Sequence, residues 1–171
     1  MVINNPNYYD EIAQGYEELH GEEQLRKIEI ISKYIEPKLD ETLLDVGCGT
    51  GISTEPWICK KHGIDSSKKL IEIAKEKNSE TDYKVAAAEE IPFEDDQFDY
   101  VISVTAVQNF CDIEKGLTEM KRVLKEKGII VISTLKDSPN LKSIHKNINE
   151  AFNIEQTYED KIDIFFIGRK F

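Results

Sequence analysis

The chain is short of the residues that build metal centres, disulfide frameworks and membrane spans. Three cysteines (Cys48, Cys59, Cys111) and three histidines (His20, His62, His145) are scattered through 171 residues. No cysteine pair has the spacing of a zinc site, so no metal is expected. An odd cysteine count without a signal-peptide pattern leads us to expect a reducing, cytoplasmic setting. No apolar run approaches the ~20 residues of a membrane helix. Arginine is scarce as well: only Arg26, Arg122 and Arg169 stand among 22 basic residues. Bidentate phosphate recognition therefore has few candidates. A formal charge of −11 repels a bare polyanion, so unaided nucleic-acid binding is not expected. Repeats and low-complexity segments are lacking. The length suits one domain, and at this size folding buries roughly two-thirds of the unfolded surface.

What is present is an alternation of two hydrophobic periods. Residues 1–38 read as two helices. The first, Pro6 to Leu19, carries Tyr9, Ile12, Ala13 and Tyr16 at helical spacing and ends at Gly21. The second, Glu23 to Ile35, carries Leu25, Ile28, Ile31 and Ile35 and stops at Pro37. Residues 42–135 then switch between strands and helices. "TLLDVG" is a buried strand. "ISTEPWICKK" reads as a short helix with Ser53 or Thr54 as cap and Pro56 in its first turn. A second strand ends at Asp65, and Ser66 or Ser67 caps "KKLIEIAKEK". "DYKVAAA" and "FDYVISV" are further strands. Asp112 caps "IEKGLTEMKRVLKEK", and Gly128 turns the chain into "IIVISTL". Residues 136–171 give a helix, "SPNLKSIHKNINEAF", and two strands around "EDK". The expectation is a single α/β domain: a doubly wound, mostly parallel sheet of seven strands with one reversed near an edge.

The stretch "LLDVGCGTG" carries the chemistry. Gly47, Gly49 and Gly51 follow the first strand, where glycine permits positive φ and close approach of a ligand to bare backbone. In such sheets ligands bind beyond the carboxyl ends of the strands. A glycine-rich turn alone is weak evidence, since a tight turn without a ligand looks the same. Asp65, at the tip of the second strand and twenty residues after Asp45, strengthens the case. A carboxylate there can accept both ribose hydroxyls of an adenosine. A dinucleotide site would want GxGxxG, and Ile52 stands where the third glycine would be. That argues against a nicotinamide enzyme.

With "GID" following, "LLDVGCGTG" resembles the first two motifs of the class I S-adenosylmethionine-dependent methyltransferases, in particular the methyltransferase-11 type. "AAAEEIPFEDDQFDYVISVTAVQNFCDIEKGLTEMKRVLKEKGIIVIST" looks like that superfamily's third-to-fifth-strand segment. The resemblance implies a three-layer α/β/α sandwich with strand order 3-2-1-4-5-7-6, covered by the N-terminal helices as a lid. It implies S-adenosyl-L-methionine as cofactor, approached by Gly47, Cys48, Gly49 and Gly51. Asp45 would reach the methionine amino group directly or through water, Asp65 would hold the ribose, and Ser66 would lie beside the adenine. Ala88 and Glu89 would flank the adenine, and Ser103 and Val104 would border the methionine. The family often reads "GDAE" where this chain has "AAAE". Ala86 and Ala87 thus replace Gly and Asp, leaving adenine recognition to Glu89 or to backbone groups. Gln108 and Asn109 match positions facing the acceptor, or equally cap a loop. Tyr8, Tyr9 and Tyr16 either close over the site or pack the first helix down, and Tyr8 is the candidate lid residue.

The acceptor is not legible. A sulfonium methyl is already activated, so transfer needs alignment more than a strong base. No long insert follows the fifth strand, which implies a pocket open on that side. An open pocket suits a large acceptor (a protein or an RNA end) or a partner subunit, and the resemblance permits a small zinc-binding activator protein. The alternative is a regulatory module that binds the cofactor without transferring methyl groups.

Overall fold

The computed structural model describes residues 8–171, except the side chains of residues 14 and 16–19. Seven strands form one sheet in the order β3-β2-β1-β4-β5-β7-β6. They are β1 (Thr42–Val46), β2 (Lys60–Asp65), β3 (Asp82–Val85), β4 (Phe98–Val104), β5 (Leu124–Leu135), β6 (Asn153–Glu159) and β7 (Asp163–Arg169). Only β7 runs against its neighbours. Its residues come to β5 through a hairpin, and a hairpin reverses the chain.

The helices are α1 (Tyr8–Ile12), α2 (Tyr16–Ile31), α3 (Lys68–Lys77), α4 (Ile113–Val123) and α5 (Leu141–Ala151). Leu117, Met120 and Val123 of α4 and Ile144 and Ile148 of α5 pack with Leu44, Val101 and Ile130 on one face of the sheet. On the other face Ile28, Ile31 and Ile35, from α2 and the turn after it, meet Leu43, Ile102, Val131 and Phe165. Each fully buried Leu or Ile side chain contributes roughly 1.5–3 kcal/mol. Both faces are covered, as the apolar composition of β4 and β5 requires of central parallel strands.

Four local expectations are corrected. Gly21 does not end a helix: α2 runs through it to Ile31, because packing on the sheet outweighs the roughly 1 kcal/mol penalty of an interior glycine. Leu25 is not on the inner stripe but 52 % exposed, and Lys27, fully buried, takes the inward position. The proposed start at Pro6 and the packing of Tyr16 and Leu19 lie outside the described residues.

No helix joins β1 to β2. One turn forms, in which Gly51 O accepts from the Thr54 and Glu55 amides at 3.0 and 2.9 Å. It goes no further because its side chains are engaged elsewhere. Ser53 and Thr54 turn their hydroxyls to Asp45. Glu55 accepts from Tyr83, Thr81, Asn78 and Lys61. Trp57 fills the space left, buried, with Nε1 donating to Ser53 O at 2.9 Å. Lastly, α4 stops at Val123 and β5 begins at Leu124, four residues before Gly128. Leu124 pairs with Phe98, and Lys125 bonds both oxygens of Asp99 at 2.8 and 2.9 Å. These contacts override the helical character of "LKEK".

Candidate active site

A cleft of about 680 Å³, its solvent-open mouth included, lies beyond the carboxyl ends of β1, β2 and β4. Of the residues expected there, Gly47, Asp65, Ser66, Ala88, Glu89, Val104 and Asn109 line it. Gly47, Gly49 and Gly51 all have positive φ, at 81°, 56° and 85°. At Gly47 the conformation alone would strain any other residue, and a Cβ would collide with the methyl of Ala106. Of the three only Gly47 lines the cleft, with bare backbone; Gly49 and Gly51 do not line it, and Gly51 backs onto the Tyr83 hydroxyl.

Asp65 is the organising acid. Its Oδ2 accepts from the Gly49 amide at 2.9 Å and its Oδ1 from the Ser67 amide at 2.8 Å. Burial pushes its pKa up, opposed by these two bonds. Each oxygen keeps a second lone-pair direction for a ligand in the cleft. Ser67 caps α3 by accepting from the Leu70 amide. Its hydroxyl also meets the Asp10 carboxylate of α1, so α1 is tied to the same helix start.

Several expected residues lie outside this cleft. Cys48 is buried against Ile71, Ala74 and Tyr83, and burial raises its thiol pKa. Ser103 is fully buried, its hydroxyl donating to Val46 O at 2.9 Å. The next residues, Thr105 and Ala106, line the cleft instead. The backbone reverses there, with Thr105 at φ 55°. Gln108 is used up structurally: Nε2 donates to Thr105 O at 2.7 Å and Oε1 accepts from Thr134 at 3.2 Å. Tyr8 is displaced by its neighbour. Tyr9 lines the cleft, and its hydroxyl accepts from Asn109 Nδ2 at 2.7 Å. Burial and the negative charge of Asp65 push the Tyr9 pKa to about 12, so the phenol stays protonated. In sequence Tyr9 is open between closing over the site and packing the helix down, and the structure places it in the cleft wall.

Asp45 also lies behind the cleft wall, with no exposed surface. Oδ2 accepts from Ser53 at 2.6 Å and Thr54 at 2.8 Å, whereas Oδ1 has no partner among the described residues. Burial raises its pKa from 3.8 to about 6. The native state thus holds this proton more tightly than the unfolded chain does. The resulting stability is complete below the ordinary value near pH 4 and is lost as pH rises through about 6. We expect Asp45→Asn to gain about 2–3 kcal/mol relative to wild type between pH 4 and pH 7.5, read from urea unfolding at both values. Parallel pH profiles for the two proteins would refute this.

A second cleft, of about 800 Å³ with its solvent-open mouth included, adjoins the first. Tyr9, Thr105 and Asn109 are common to both. Tyr8, His20, Glu23, Gln24, Lys27 and Gln108 complete most of its wall. No cluster suited to a metal ion occurs among the described residues.

A family model described as a methyltransferase domain matches residues 44–132, and the chain belongs to that family, the class I S-adenosylmethionine-dependent methyltransferases. An uncharacterized protein of Methanocaldococcus jannaschii is 37% identical over 143 residues, 82% of this chain and 55% of that protein. A ubiquinone biosynthesis O-methyltransferase of Pelagibacter ubique is 41% identical over 101 residues, 54% of this chain and 41% of that enzyme. The chain therefore spans about half the length of these relatives. Among solved structures, a chain from the complex of the Haloferax volcanii Trm112 methyltransferase activator with a methyltransferase superposes with a TM-score of 0.82. It is 14% identical and covers 95% of this chain and 97% of its own, a likeness of fold.

Proposed function

We propose that the chain is a methyltransferase that binds S-adenosyl-L-methionine in the first cleft and transfers its methyl group to an acceptor entering from the second. The observation that carries this reading is the placement of Asp65, with a free lone pair on each oxygen, beside a left-handed glycine turn. The ribose hydroxyls would donate to Asp65, and Ser66 would lie near the adenine. Leu70, Ala88 and Phe110 offer it apolar walls. Glu89 accepts from the Asp112 amide through Oε1, leaving Oε2 or nearby backbone for the adenine amino group. The unpartnered Asp45 Oδ1 suits a water that links it to the methionine ammonium. The sulfonium supplies an activated methyl, so the protein's task is alignment, worth ~7–11 kcal/mol.

The lid takes part through Tyr9. We expect Tyr9→Phe, which strands the Asn109 amide, to weaken binding of S-adenosylhomocysteine about 3- to 10-fold by calorimetry, the equivalent of one hydrogen bond. Tyr8→Phe is expected to leave that affinity unchanged. Equal effects of the two substitutions would return the lid role to Tyr8.

Only residues 136–140 join β5 to α5, so no insert covers the second cleft from that side. That supports a partner that completes the cleft over its acceptor. A small zinc-binding activator protein is the partner we propose. The free cysteines favour action in the cytoplasm, and no helix among the described residues could cross a membrane. Calorimetry with the cofactor and its demethylated product tests binding. A labelled-methyl assay on cell extract, with and without candidate activators, tests transfer. Tight binding with no labelled product under any condition would favour the regulatory module, and absence of binding would overturn both readings.

A further inference from the structure

We infer that the second cleft is the acceptor subsite and that it takes a small organic amine, bound through Glu23 with Gln24 beside it. The inference rests on the methyltransferase reading and adds the chemistry of the acceptor to it. Continuity comes first: Tyr9, Thr105 and Asn109 form walls of both clefts, so a group in the second faces a ligand in the first.

Next comes a count of which polar groups are already engaged. Lys27 is the wall's buried cation, with no exposed side-chain surface. Its three donors meet Glu23 Oε1 at 2.5 Å, Thr105 Oγ1 at 2.7 Å and Asp163 Oδ1 at 3.4 Å. Gln108 is occupied through both amide atoms. An entering carboxylate or phosphate would find no free strong donor from either residue. Glu23 differs: its side chain is 35 % exposed, and Lys27 engages only one of its oxygens. Gln24 lies beside it, 9 % exposed, lines the cleft and makes no side-chain hydrogen bond among the described residues. Its amide is therefore open to a ligand in the cleft, which it can meet as donor or acceptor.

The cluster Glu23, Arg26, Lys27, Asp160 and Asp163 holds three acids against two bases. Its uncompensated charge is negative; Glu23 and Lys27 are the members that line the cleft, and of these only Glu23 has exposed side-chain surface. The chain's own charge of −11 steers cations toward it. Tyr8 and Tyr9, in edge contact with ring centroids 5.3 Å apart, line the same wall with surfaces that favour a cation by ~0.5–2 kcal/mol. An ammonium is the group that satisfies all of these at once. It would bind Glu23 as the cation and lose one proton to water at the open mouth. The freed nitrogen lone pair then forms the N–C bond while the C–S bond breaks and its electron pair stays on sulfur. The product nitrogen sheds its extra proton to solvent.

The test is titration of the protein, saturated with S-adenosylhomocysteine, by a matched set: 2-phenylethylamine, 2-phenylethanol and phenylacetate. Ligand-observed NMR and calorimetry give the affinities. The amine is expected to bind at least 10-fold more tightly than the other two. Glu23→Gln should erase that preference, and Gln24→Glu, which keeps the Lys27 contacts, should increase it. Preference for the alcohol or the carboxylate would overturn the inference, as would an amine affinity indifferent to both substitutions. Binding of none of the three, with S-adenosylhomocysteine still bound, overturns the acceptor assignment and leaves the cofactor site standing. Failure of S-adenosylhomocysteine itself to bind would instead sink the methyltransferase reading.

Discussion

Asp65→Ala is expected to lower the affinity for S-adenosylhomocysteine by at least 100-fold, with the fold retained. Two ribose hydroxyls donating to one carboxylate are charge-assisted bonds, each worth roughly 1.5–3 kcal/mol. Their loss alone corresponds to about two to four powers of ten. The substitution has a second effect. The Gly49 and Ser67 amides lose the oxygens that hold them at 2.9 and 2.8 Å, so the glycine turn and the start of α3 are released together. Asp65→Asn separates the two contributions. Its single carbonyl oxygen can keep one amide contact but cannot accept from both amides and both hydroxyls. An intermediate loss is therefore expected from the amide variant. Calorimetry measures the affinity, and a thermal melt shows whether the protein still folds. Because burial raises the Asp65 pKa, removing the carboxylate also relieves a desolvation cost, so the melting temperature should change little. An alanine variant that binds within threefold of wild type would show that the ribose is held elsewhere.

The parts of the fold that sequence makes visible are those where local pattern and tertiary contact agree. β1 and β4 are short, largely apolar runs bounded by turn signals, interrupted by Asp45 in one and Asp99 in the other, and both their faces are covered. Asp112 and Ser67 cap α4 and α3 as their residue types dictate. Gly47 and Asp65 were legible because a left-handed turn and a strand-tip acid need particular residue types. The misses share a cause, which is that a distant partner decides. "ISTEPW" looks helical until Asp45 claims two of its hydroxyls and Tyr83 claims Glu55. Thr105 rather than Ser103 reaches the cleft because the chain reverses just past β4, a turn fixed by Ser133 on β5. Tyr9 and Tyr8 are adjacent on α1, and it is Tyr9 that meets Asn109, 100 positions away. Lys27 sits at a spacing that an apolar stripe would use, and a lysine there reads as solvated until Asp163, 136 positions away, is brought beneath it.

That buried pair carries the second large effect. Lys27 and Asp163 have no exposed side-chain surface; removing Asp163 leaves Lys27 with Glu23 as its only acid, and removing Lys27 leaves Asp163 with Arg26 as its only base. Breaking a buried pair costs about 3–5 kcal/mol, and the partner that each charge keeps holds the cost at the lower end. For a chain of this length that corresponds to a fall in melting temperature of roughly 10 °C. We expect both Lys27→Met and Asp163→Asn to show it. The double variant should regain much of the loss, because neutral groups of similar volume no longer need each other's charge. Recovery will be incomplete: Arg26 donates to Asp163 Oδ2 at 2.8 Å, and that contact is weakened along with the pair. The pair also bears on the site. Lys27 holds Thr105 Oγ1 at 2.7 Å, and the Thr105 amide donates to Ser133 at 2.9 Å, keeping a β-branched residue at positive φ where both clefts meet. A residue of that type adopts this conformation only when its surroundings hold it there. The single variants should therefore weaken S-adenosylhomocysteine binding by more than their thermal destabilisation accounts for, when measured well below their melting points. Melting temperatures unchanged in either single variant, or losses that simply add in the double variant, would mean that the two charges do not depend on one another and that Thr105 keeps its conformation without them.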